Sequence, residues 1–139
     1  MCRTIQFLLL LLFTAPVAVG QTMCEPIADR CEQHISGEFI PDGQFYRALL
    51  QGDEVAEFAV TLFRGTTYRV SGCSGDRDGV LMFSVYDKDH TLLFTNSEYG
   101  NAPFWDFVVK NTMDVTIEAT LDPSKAGSGC AVLLMGFKR

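Results

Sequence analysis

The chain has 139 residues and a formal charge of −6, with 11 Lys and Arg set against 17 Asp and Glu. That balance excludes binding to a phosphate backbone, which depends on clustered Lys and Arg, and disfavours an anionic membrane surface as partner. Five cysteines, the first at position 2, and a single tryptophan complete the composition.

The chain opens with a targeting pattern. Arg3 supplies a positive start, residues 7–13 are unbroken apolar, and Ala18-Val19-Gly20 form a small-residue cleavage site. The apolar run is too short to cross a bilayer, which takes about 20 residues. We expect a signal peptide over 1–20, an N-terminal lead-in over 21–43 and one β-sandwich domain over 44–139, exported to the periplasm, the cell surface or the medium. Gln21-Thr22-Met23 ahead of Cys24 do not make a lipoprotein site.

Cys2 leaves with the leader, so Cys24, Cys31, Cys73 and Cys130 remain. An even number in an exported chain reads as two disulfides with three connectivities. The expected pairs are Cys24–Cys31, closing a short loop, and Cys73–Cys130, tying a middle strand to the last one. The first pair forbids a straight helix between its members, since two helical turns separate them by about 10 Å. No Cys-x-x-Cys pair or neighbouring histidine motif suggests a metal centre.

In the lead-in, Glu25-Pro26 start a short helix with Ile27, Cys31 and Ile35 on one side, and Gly37 and Pro41-Asp42-Gly43 stop it. From there the chain is β-like. Strands are expected over 44–50, 55–63, 67–73, 80–86, 91–95, 104–109, 113–121 and 130–137. The pair 80–86 and 91–95 reads as a hairpin, whose loop Asp89 or His90 closes in a left-handed conformation. Residues 130–137 are apolar on both faces and belong in the middle of a sheet. Residues 97–103 form the longest irregular link. About eight short strands with turn signals between them give an all-β, antiparallel β-sandwich or jelly roll with a short helical lead-in.

The run 57–62, then Gly65-Thr66-Thr67-Tyr68-Arg69-Val70, the stretch 79–86 with Asp87, and Leu92-Leu93 resemble the bacterial pre-peptidase C-terminal β-sandwich domain. Asp42-Gly43-Gln44 and the stretch 129–134 resemble small exported Bacteroidetes proteins. The resemblance covers roughly residues 54–137 and implies a binding or accessory module without catalytic activity.

Motifs for catalysis are missing. His34 and His90 lie in no hydrolase or metallopeptidase motif, and Ser71 and Ser74 read as hydroxyls near strand ends. Asp106 and Glu118, placed on neighbouring strands, are expected to solvate a face and not to serve as a glycosidase pair. We therefore expect no enzyme activity and no cofactor. Asp76 and Asp78 are the only weak calcium candidates. Asp87 and Asp89 lie about 20 Å away at the other end of a strand and cannot join them. The preferred binding residues are Tyr99, Asn101, Phe104 and Trp105 around the longest link, because Trp and Tyr dominate interface hot spots and stack on sugar rings. The expected partner is an envelope protein or glycan; the alternative is a structural subunit of an envelope assembly.

Overall fold

The computed structural model describes residues 24–139; the expected signal segment lies outside the described residues. Helix α1 (Glu25–Glu32) is followed by β1 (Ile40–Gln51), β2 (Ala56–Leu62), β3 (Thr67–Cys73), β4 (Leu81–Asp87), β5 (Leu92–Thr95), β6 (Phe104–Val108), β7 (Met113–Leu121) and β8 (Ser128–Lys138). Two four-stranded antiparallel sheets form, sheet A in the order β1-β8-β3-β6 and sheet B in the order β2-β7-β4-β5. This is the eight-stranded jelly roll. Each connection crosses from one sheet to the other except the hairpin β4–β5. His90 has φ 59° and closes that hairpin. Asp87 stabilises it by accepting from the amides of Asp89 and Thr91 at 2.9 and 2.8 Å.

Side chains alternate across each strand, so one set from each sheet meets in the middle. Phe83, Val85, Val115, Ile117 and Ala119 from sheet B are buried against Val70, Ala131, Leu133 and Met135 from sheet A. Phe83 has no exposed surface. Truncating a buried Phe of this kind costs about 3–5 kcal/mol.

Sheet A has a second layer on its outer side. Ile27, Ala28, Cys31, Ile35 and Phe39 pack on Cys73, Cys130, Val132 and Leu134. That covering explains why β8 is apolar on both faces. Gly136 fits beneath it, because a Cβ there would lie 2.6 Å from the Ile35 side chain. The layer is held covalently, and here the expected pairing is corrected: the disulfides are Cys24–Cys130 and Cys31–Cys73, with Cα separations of 5.5 and 5.7 Å. The lead-in is one continuous helix from Glu25 to Glu32, so Cys24 and Cys31 stand two turns apart and cannot reach each other. Both face the sheet, where adjacent strands β8 and β3 present the other two cysteines.

β1 begins at Ile40, ahead of the sequence expectation of 44. The helical lead-in has already ended at Ile35, so Pro41-Asp42-Gly43 do not stop it; they make an irregularity inside the strand, between Pro41 and Phe45, with Gly43 at φ 81°. Such a bulge keeps pairing with β8 going on both sides.

Candidate functional site

β5 and β6 are the edge strands on one side of the sandwich, one in each sheet. Among the described residues no further strand closes the gap between them; aromatic side chains do. Phe94 of β5 touches Trp105 and Phe107 of β6, with ring centroids 5.0 and 5.1 Å apart. Tyr99, in the short 3-10 turn Asn96–Tyr99, lies over both Trp105 at 4.3 Å and Phe94 at 5.7 Å. Trp105 is half-buried and points inward opposite Val70, while Tyr99 remains 52 % exposed. The turn is anchored by Asn96, fully buried. It accepts from the Phe83 amide at 2.8 Å and donates to the Leu81 and Ala102 carbonyls at 3.0 Å each. Nothing in the sequence marks Asn96 apart from other loop asparagines.

The four residues singled out for binding therefore occupy three places. Tyr99 and Trp105 belong to this aromatic edge. Asn101 is only 7 % exposed, at φ 54°, and its amide donates to the Gly79 carbonyl at 3.0 Å and to Asp122 Oδ2 at 2.8 Å. It holds the link in place, and its donors are spent. Phe104 faces the helix side of sheet A. There the Arg69 guanidinium lies between the rings of Phe39 and Phe104, at 4.3 and 4.4 Å, and makes a two-point contact with Asp106. That bond to Asp106 pushes the Arg69 pKa further up.

Asp106 and Glu118 are not on neighbouring strands. β6 joins sheet A beside β3, whereas β7 lies in sheet B between β2 and β4, so the two carboxylates sit on opposite layers. Ser71 is fully buried and bonds to the Cys31 and Pro103 carbonyls. Ser74 is buried, and its hydroxyl has no hydrogen-bond partner among the described residues. His34 Nε2 faces Asp78 at 3.2 Å, and Arg30 comes within 3.9 Å of the same carboxylate. The Arg30 guanidinium and the His34 ring both lie against the Asp78 carboxylate, and Asp76 beside it is exposed. Cys73 also approaches His34 and Asp78, but its sulfur is in a disulfide and offers no thiolate.

The aromatic edge runs into a groove at the loop end of the sandwich. Leu62, Val85, Leu93, Phe107, Val108, Val109 and Met113 line an apolar cleft of about 290 Å³, bordered by Lys110 and Asn111. Met113 also lines a polar depression of about 300 Å³ with Asp87, Lys88, Asp89, Thr112 and Asp114. Val108 is 73 % exposed, and Leu92, Leu93 and Met113 are exposed as well. Large apolar side chains left contiguous at a surface mark an interaction site more often than scattered single ones do. Sequence reasoning missed this groove because two loops far apart in the chain build it.

No family model matches the chain, and no curated protein matches it. Among solved structures it is similar to PliG of Aeromonas hydrophila, a periplasmic lysozyme inhibitor of g-type lysozyme. The TM-score is 0.52 at 11 % identity, over 68 % of this chain and 85 % of that one. The likeness is one of fold.

Proposed function

We propose that the protein is an exported, non-catalytic binding module that recognises a protein or glycan of the cell envelope through its open β5–β6 edge. The observation that carries this reading is the continuous apolar strip from Tyr99 and Trp105 to Leu93, Val108 and Met113. A signal-like leader and two disulfides support an oxidising compartment beyond the cytoplasm. The PliG fold supports a protein as partner, since that protein is an inhibitor of g-type lysozyme. The pre-peptidase resemblance, in our reading, describes the same kind of accessory sandwich, with residues 24–39 of the expected lead-in serving as its cover. A second reading, a structural subunit of an envelope assembly, is favoured by the edge strand β1, where Ile40, Phe45 and Leu49 are exposed.

Capture from isolated envelopes by the immobilised, oxidised protein tests both. A specific partner retained by wild type and weakened about 30-fold or more by Tyr99→Ala, as for a hot-spot aromatic, supports the first reading. A partner lost with Leu49→Asp but kept by Tyr99→Ala supports the second. Inhibition of a g-type lysozyme, assayed alongside, tests the narrowest form of the proposal. A protein that retains nothing and inhibits nothing overturns it.

A further inference from the structure

We infer that the groove at the loop end receives a cationic segment of a protein partner. Its aliphatic or aromatic side chain sits among Leu93, Phe107, Val108 and Met113, with a neighbouring Lys or Arg over Asp89 and Asp114. This rests on the binding-module reading and names the chemistry of the partner.

Two properties of the groove combine. Its apolar part, about 290 Å³, lies at the floor of the range for small-molecule pockets, roughly 300–1,000 Å³, and suits an inserted side chain better than a whole cofactor. Its polar part holds three carboxylates, Asp87, Asp89 and Asp114, against one ammonium, Lys88. Asp87 Oδ1 is engaged by the hairpin amides, and Asp114 Oδ1 accepts from Thr61 at 2.6 Å. Among the described residues no hydrogen bond or ion pair engages the Asp89 carboxylate or the second oxygen of Asp114, which leaves them to face a guest. Lys110 borders the apolar part, so the guest's charge belongs at the Asp89–Asp114 end.

The surroundings have the same sign. The four strands of sheet B contain no Lys or Arg, whereas those of sheet A carry Arg47, Arg69 and Lys138. Glu57 and Glu118 stand directly opposite each other across β2 and β7. Like charges so placed weaken a free sheet, and they add to a negative potential that draws in cations. A second copy of this chain, itself at −6, is repelled by that field. A basic protein segment meets both the apolar floor and the carboxylates.

The test is selection of a displayed library of random peptides about twelve residues long on the immobilised, oxidised protein, with Leu93→Arg as the counter-selection. The expected winners carry a Lys or Arg within two residues of an aliphatic or aromatic side chain. Their affinity for wild type falls about tenfold or more between roughly 50 and 300 mM NaCl, as charge screening requires. It falls by a similar factor in the double variant Asp89→Lys/Asp114→Lys, whose thermal midpoint checks that the fold is intact. If Leu93→Arg does not fold, Val108→Arg at a more exposed position replaces it. Winners that are acidic or neutral, insensitive to salt, or equally bound by the blocked variant overturn the inference, and so does the absence of any enrichment. A glycan that binds the groove in a salt-independent way overturns it too. An envelope partner captured through Tyr99 in any of those cases leaves the binding-module reading standing and removes only this one.

Discussion

On sheet A the outward side chains of β3 and β8 meet a helix and two disulfides, while on sheet B the outward side chains of β2, β4 and β7 meet water. The covered side has lost its freedom to change: Gly136 admits no side chain, Arg69 is fixed between two aromatic rings, and the cysteines bind α1 to adjacent strands. The uncovered side and its β5–β6 edge carry exposed Leu93, Tyr99 and Val108 and an unfavourable Glu57–Glu118 pair. The additional cover and both disulfides stand on one face, while the other keeps residues that stability alone does not favour.

Removing the staples should break the comparison most strongly. Replacing Cys24 and Cys130 by Ala opens a loop spanning 106 residues, for which chain-entropy arguments give about 4–5 kcal/mol. Guanidinium denaturation of the double variant should show that loss, and a loss under about 1 kcal/mol would mean that packing alone retains the helix. Gly136→Ala should cost about 1–3 kcal/mol by forcing Ile35 and Phe39, in the segment that follows α1, away from β8 and so loosening the cover. Protection of the α1 amides from hydrogen exchange should fall with it, while β7 stays protected. An unchanged α1 would show that the cover yields more easily than its packing suggests.

The open side should respond in the other direction. Glu118→Gln relieves the like-charge pair with Glu57 and should stabilise the free protein by a few tenths of a kcal/mol, read from the thermal midpoint in low salt. A destabilised variant would show that Glu118 has a favourable partner instead. The smallest effect concerns pH. Bonds from the Ser124 hydroxyl and amide, with help from Asn101 and Lys125, hold the Asp122 pKa below its ordinary 3.8. A carboxylate with a depressed folded pKa contributes stability above the unfolded value, and that contribution disappears as pH falls through the folded one. The Asn101 side-chain amide signals should therefore stay fixed down to about pH 4 and shift below it. Movement already near pH 5 would contradict this assignment.

Much of the fold was legible because side-chain alternation is local. β3 and β7 have the bounds read from alternation, 67–73 and 113–121. β1 was read short because Pro41-Asp42-Gly43 resemble a stop, and only pairing with β8 turns them into a bulge. The cysteine pairing was misread for a related reason: the helix is local, but its partners are not, and nothing near Cys24 points to Cys130. Trp105 and Phe104 were seen as a pair, yet adjacent residues of a strand face opposite ways, so one joins the aromatic edge and the other the Arg69 stack. Asn101 and Asn96 read as loop polarity because a buried amide looks the same in sequence as a solvated one.

The pairing of Cys24 with Cys130 also sets an order of events. A chain made from its N-terminus offers Cys24 long before Cys130 exists, and Cys31 is the nearest wrong match. Once Glu25–Glu32 coils into a helix, that mistake is out of reach. The helix thus holds Cys24 and Cys31 apart and leaves each facing its own partner on the sheet, Cys130 on β8 and Cys73 on β3.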